Sequence, residues 1–225
     1  MPPVDVTHRG VSLRYLLELL DLGIVARNWT IQDVVDKVVR PKTAATKCCL
    51  FDVVPSRHTA DPQYFVSHTW SRKYADLMTL LKTHFNVTGS TDAAAGVVLW
   101  LDIVALNQYP YEEAGACLLD EDADVDVVEK VVQATERTLL CLDPGCEALR
   151  RSWCLYEVWQ SFVAKGAAGL RVLMPGLDEA KLRAELTSID VEFAESTHAA
   201  DSDRILELMD GGSVEVNTMV SLTLA

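Results

Sequence analysis

Tyr64-Phe65-Val66-Ser67-His68 is a short apolar run, a helical stretch over 74–85 follows it, and Val97-Val98-Leu99-Trp100-Leu101-Asp102 is a second apolar run. Short apolar strands alternating with helical segments mark a parallel sheet wound with crossover helices, because a tight hairpin cannot join parallel neighbours. The alternation continues with a helix over 124–135, inward at Val128, Val131 and Val132, and a strand over 138–142. A helix over 152–165, a strand over 170–174 ended by Pro175 and a helix over 178–188 complete it. The expected class is α/β. Residues 201–209 read as helical, Gly211-Gly212 breaks that pattern, and 213–225 fits helix or strand.

Upstream of residue 60 the pattern is different. Leu13, Leu16, Leu17, Leu20 and Ile24 recur at helical spacing over 11–24, with Gly23 at the end. Thr30 precedes Ile31, Val34, Val35, Val38 and Val39, with Asp33 three residues on, so a capping box should open a second helix over 31–40 that Pro41 closes. Residues 42–62 hold Pro55 and Pro62, lack periodicity and read as a connector. The expected organisation is an N-terminal helical appendage and connector over 1–60, followed by the α/β domain over 61–225. Each appendage helix carries an apolar stripe that should pack on that domain.

With 225 residues, 49% of them hydrophobic and 24% charged, the chain has the material for a sizeable core and does not fit disordered, collagen-like or coiled-coil classes. Twenty Lys and Arg against 33 Asp and Glu give a net charge of −13, and no basic cluster is larger than a pair such as Arg150-Arg151. Phosphate backbones and anionic membranes would be repelled, so neither nucleic acid nor a membrane surface is an expected partner. Apolar runs are too short to span a bilayer, and the N-terminus lacks a basic segment followed by an apolar one, which points to a cytoplasmic location. Six cysteines without a C-x-x-C pair read as reduced thiols rather than a disulfide framework or a zinc ribbon.

Among the 11 glycines there is no Gly-x-x-x-x-Gly-Lys and no Gly-x-Gly-x-x-Gly, which removes support from ATPase and dinucleotide-reductase readings. Asp120, Asp122, Asp124 and Asp126 alternate as in a calcium loop, but the turn glycine and terminal Glu are missing, so no metal site is expected. The acidic run is better read as solvated charge favouring the N-terminus of the following helix. Ser67 and His68 are neighbours on a strand and should point to opposite faces, which argues against a nucleophile and base acting on each other. Cys154, beside Arg150 and Arg151 near a helix N-terminus, is either a thiolate-prone cysteine or a buried inert thiol. With His68 as base it would form a cysteine hydrolase site.

The most informative residues are Arg151-Ser152-Trp153-Cys154-Leu155-Tyr156-Glu157, taken with Ser67-His68-Thr69-Trp70 and Leu99-Trp100-Leu101-Asp102. Together they resemble the Toll/interleukin receptor (TIR) domain family, as a divergent member. That family shows an apolar first strand ending in Ser, a second strand ending in Asp, and Ser-x-Trp-Cys-x-x-Glu opening a helix after the third. Here the Ser to Trp spacing is one residue tighter, and the resemblance covers about residues 62–176. It implies a flavodoxin-like parallel sheet of order 2-1-3-4-5 with flanking helices, the first strand lying between the second and third. The ligand crevice would lie at the carboxyl ends of strands one and three, here 67–70 and 142–145.

Catalytically active TIR domains cleave the nicotinamide to ribose bond of NAD with the motif Glu as the essential carboxylate, so the resemblance implies NAD as substrate, with no cofactor, and Glu157 as the catalytic residue. Ser67, His68, Trp70, Asp102, Trp153 and Cys154 are the implied substrate-binding residues. Glycosidic cleavage passes through an oxocarbenium-like state, which a carboxylate stabilises, and nicotinamide departs as a neutral base. Helical spacing puts Trp153, Glu157, Gln160 and Ser161 on one face, and Leu155, Val158 or Trp159, Phe162 and Val163 on the apolar stripe. The ordinary alternative for Glu157 is a solvated helix residue or a partner of Arg150 or Arg151. Two stretches depart from the family. A long segment over 103–123 includes Asn107-Gln108-Tyr109-Pro110, and His68-Thr69-Trp70 replaces small or aromatic residues. Trp70 is either a ring that stacks on nicotinamide or adenine or a core plug. The rival function is a non-catalytic module that self-associates through complementary surfaces.

Overall fold

A computed structural model describes residues 4–87, 92–109, 123–174 and 199–209, and in addition 176, 180, 184, 185, 194 and 217. It is a mixed α/β fold with a multi-stranded sheet and flanking helices, and it divides into two compact units. The first takes Met1–Val66 with Trp70–Thr135, and the second takes Ser67–Thr69 with Glu136–Ala225. The units do not divide at residue 60.

Unit one contains β1 (Gly10–Ser12), α1 (Leu13–Asp21), α2 (Ile31–Val34), α3 (Arg40–Thr43), β2 (Thr59–Ala60), β3 (Tyr64–Ser67, its last residue in unit two), α4 (Tyr74–His84), α5 (Asp92–Ala95), β4 (Val98–Trp100), α6 (Asp102–Ala105) and α7 (Ala123–Ala134). β3 pairs parallel to β4 with Tyr64 opposite Leu99 and Phe65 opposite Trp100, so the first two expected strands are neighbours. β1 pairs antiparallel to β4 and to β2, so this sheet is mixed rather than wholly parallel.

The correction has a local cause. Residues 11 and 12 do not join the helix expected over 11–24: Val11 pairs with Leu99, and the Ser12 hydroxyl accepts from the Tyr15 N–H at 3.3 Å as the N-cap of α1. A serine at a helix start favours extended backbone at its own position, and the strand ends where the helix begins. The N-terminal segment therefore contributes a strand as well as helices. The second helix also departs from expectation. Thr30 and Asp33 form the expected capping box, but helical backbone continues past Pro41 to Thr43 through a π-helical turn over Val35–Val39. The wider turn ahead of Pro41 makes room for a ring that lacks an N–H and would crowd the carbonyl four residues back.

The core of this unit is built on Phe65 and Trp100, whose rings stack with centroids 4.9 Å apart, with the Trp100 Nε1–H donating to the Val6 carbonyl at 3.1 Å. Leu13 and Leu16 from α1, Leu77 and Leu81 from α4, Ile103 from α6 and Val131 and Val132 from α7 are buried, and α1 packs on α4 and α5.

Unit two contains β5 (Arg137–Cys141), α8 (Ser152–Lys165), β6 (Leu170–Leu173) and α9 (Ala199–Leu208). β5 and β6 pair in parallel with Thr138 opposite Leu170 and Cys141 opposite Leu173, and α9 packs on α8. The helix expected over 178–188 and the segment over 213–225 lie almost wholly outside the described residues, as do Cys117 and Asp120 and Asp122 of the acidic run. No helix among the described residues is long and apolar enough to cross a membrane.

Candidate functional site

α8 carries the Trp-Cys-x-x-Glu residues, and its limits have clear local causes. Ahead of it the Asp143 carboxylate accepts from the Gly145 and Glu147 N–H groups at 2.7 and 3.0 Å, a turn that places Cys146 in left-handed backbone at φ 54°. At the far end Gly166, with φ 66°, donates its N–H to the Phe162 carbonyl at 2.7 Å, closing the helix with a residue that tolerates positive φ.

The first turn of α8 touches His68, the residue that follows β3. The Cys154 Sγ donates to the His68 backbone carbonyl at 3.5 Å, both residues belonging to unit two. Cys154, Ser67 and His68 are all buried. This geometry engages the thiol with the peptide carbonyl of His68, whereas a cysteine hydrolase needs it on the imidazole. The Ser67 hydroxyl is fully buried and has no hydrogen-bond partner among the described residues. One turn beyond Cys154, Glu157 is half-buried, and its Oε2 is sealed from solvent. That distinguishes it from the ordinary solvated helix carboxylate.

The faces of α8 differ from those expected. Val163, assigned to the apolar stripe, is 58% exposed, while Gln160 and Ser161, assigned to the polar face, are buried. Their burial is possible because each has an internal partner. Gln160 Nε2 donates to the Tyr156 hydroxyl at 2.8 Å, and Ser161 Oγ lies 2.6 Å from both Thr138 Oγ1 and the Glu157 carbonyl oxygen. Trp153 and Trp159, both half-buried, flank the buried Tyr156 ring at centroid distances of 6.3 and 5.8 Å. Trp153 is thus held by an aromatic neighbour on its own helix.

Two more of the expected site residues, Trp70 and Asp102, belong to unit one and meet there. The Trp70 Nε1–H donates to Asp102 Oδ2 at 2.7 Å. Asp102 does not end the second strand as expected but opens α6, its Oδ1 accepting from the Ile103 N–H at 2.7 Å. Sequence reasoning missed what braces this pair. Gln108 Nε2 donates to the Asp102 carbonyl at 3.1 Å, and Arg40 Nε donates to the Gln108 carbonyl at 2.8 Å. The Tyr109 hydroxyl donates to the Arg40 carbonyl, and Lys47 Nζ stands 4.0 Å from the Tyr109 ring centroid. The stretch 107–109, which departs from the family pattern, is therefore a fixed clasp. Arg72, 5% exposed in the loop after β3, was also missed, because a single arginine between polar residues carries no periodic signal.

Among the described residues no group of three His, Cys, Asp or Glu side chains gathers in a geometry that could hold a metal ion. Comparison with protein-family models, curated proteins and solved structures finds no match to this chain.

Proposed function

We propose that the chain is a TIR-like NAD glycohydrolase of the cytoplasm, with a flavodoxin-like sheet of order 2-1-3-4-5 in which the Tyr64, Val98, Arg137 and Leu170 strands are strands one to four. The observation that carries the reading is Glu157: a carboxylate with one oxygen shut off from water, on the helix whose first turn is bonded to His68. A carboxylate drawn out of water has to be compensated by the protein around it, and such groups concentrate where their charge is used. In the reaction water attacks C1′ of the ribose and the C–N electron pair leaves with nicotinamide. The water proton goes to solvent, giving ADP-ribose. Glu157 opposes the positive charge that develops on the ribose ring, and Ser67, His68, Trp153 and Cys154 are the substrate-binding residues proposed around it.

The test is release of free nicotinamide from NAD by the purified chain at high concentration. Glu157→Gln keeps the shape and removes the charge, so turnover should fall at least about a hundredfold, the usual effect of losing one preorganised electrostatic group. At saturating NAD, Cys154→Ala should keep most of the turnover, the lost binding contact showing as a raised KM. Retained turnover in Glu157→Gln removes Glu157 from the mechanism, and loss of turnover in Cys154→Ala would favour a thiol nucleophile. A concentrated wild-type chain that releases no nicotinamide would put the non-catalytic self-association module in the lead.

A further inference from the structure

We infer that His58 is a proton-operated latch for the sheet edge of unit one: its neutral imidazole holds β2 against β1, and taking up a proton releases β2. The strand has little else to hold it. β2 is two residues long, lies at the end of the sheet and pairs with β1 as Gly10 with Ala60 and Val11 with Thr59. His58 directly precedes it, and of the side chains from Pro55 to Asp61 it alone is buried. Its ring reaches the junction of β1 and α1, with Nδ1 3.2 Å from the Ser12 hydroxyl and the Tyr15 ring centre 5.4 Å away.

The neutral ring suits this place and the charged ring does not. The Ser12 hydroxyl oxygen accepts from the Tyr15 N–H at 3.3 Å, and its own proton is available to donate to Nδ1. The ring proton is then on Nε2, which stands 3.7 Å from Glu18 Oε2, beyond hydrogen-bond reach. A second proton has to go on Nδ1, the nitrogen already in use as an acceptor. It meets the Ser12 proton head on, and the hydroxyl has to turn away inside a site where Ser12 is 3% and His58 4% exposed. Of the charges that face the ring, Arg14 on α1 and the neighbouring Arg57 oppose a cation, and Glu18, which favours one, already accepts from Arg14 Nε at 2.8 Å. The Tyr15 phenol stays neutral, because burial raises its pKa. At the other end of β2, His8 Nδ1 and Asp61 Oδ1 lie 2.8 Å apart, an exposed pair that works against release, but weakly. Swinging the 55–61 segment outward hydrates the imidazolium and gives up only two paired residues on each strand. What it uncovers is the backbone edge of β1, which otherwise has β4 on one side and β2 on the other.

Native-state amide exchange on the full chain, corrected for intrinsic rates, reads this directly. Between about pH 7.5 and 5 the protection of the amides paired between β1 and β2 should fall by about five- to thirtyfold, the ceiling being what one group of ordinary pKa 6.5 supplies at the lower pH. The opening is local, so this exchange should hardly respond to urea well below the unfolding transition, whereas β3–β4 amides should follow the global slope. His58→Asn keeps an acceptor near the Nδ1 position and cannot take up a proton, so its protection should be the same at both pH values. Glu18→Gln keeps the ring and removes the carboxylate that favours its charge in the closed state, so its loss of protection should be at least as large as that of wild type. This second variant decides the matter if His58→Asn fails to hold β2 at the higher pH. β1–β2 amides that exchange only together with those of β3–β4, with the same urea slope, overturn the inference. So does a pH-dependent loss that persists in His58→Asn or shrinks in Glu18→Gln.

Discussion

Ser161→Ala should destabilise the protein by more than the loss of one hydroxyl suggests. Ser161 Oγ lies 2.6 Å from Thr138 Oγ1, linking α8 to β5, and both residues are 0% exposed. Removing the Ser161 hydroxyl strands the Thr138 hydroxyl in the interior, and an unsatisfied buried polar group costs about 1–3 kcal/mol. Thr138→Val keeps the shape and leaves Ser161 with the Glu157 carbonyl, so its cost should be smaller, about 0.5–1.5 kcal/mol. The double variant strands nothing new beyond Thr138→Val, and its cost should fall short of the sum by about 1 kcal/mol. Urea unfolding of the four proteins reads this as midpoint shifts at constant m, and Tm should drop by about 2–4 °C per kcal/mol for a chain of this size. Costs that add within about 0.5 kcal/mol would refute the coupling and with it the account of why a serine is buried on this helix.

Two further outcomes follow from unit one. His58, buried beside Ser12 and Glu18, has its pKa lowered from 6.5, chiefly by burial, with Arg57 and Arg14 adding to that and Glu18 opposing it. The unfolded chain then takes up the proton first. Stability should be complete above 6.5 and decline as pH falls towards the lowered folded value, and His58→Gln should flatten that slope in urea midpoints measured between about pH 7.5 and 5. A Cβ at residue 10 would stand 2.4 Å from the Ala60 oxygen, 2.6 Å from Val98 Cγ1 and 2.7 Å from the Pro62 nitrogen. Gly10→Ala should therefore part β1 from β2 and cost roughly 1–3 kcal/mol, the usual range for overpacking. Unchanged amide exchange across these strands would contradict it.

What was legible in the sequence depended on how far apart the deciding residues lie. The limits of α8 over 152–165 were readable because its last turn meets Gly166 and its residues share one period. Thr30 and Asp33 were readable because a capping box is closed within three residues. β1 was not, because Val11 also fits the helical stripe of α1 and its strand partner Leu99 is far along the chain. Polarity misled on α8 itself. Gln160 and Ser161 look solvent-facing until Tyr156 and Thr138 supply their hydrogen bonds, and Val163 looks inward although no buried surface receives it. The candidate site divides in the same way. Glu157 and Cys154 stand in one motif, whereas Trp70 and Asp102 are 32 residues apart and were singled out separately as ligand contacts. Their shared hydrogen bond occupies one oxygen of Asp102 and the single polar atom of Trp70, a pairing that no local pattern announces. A motif can name the residues near a reaction, but the division of labour among them is set by which polar atoms are already satisfied by the protein, and that is decided by contacts between distant parts of the chain.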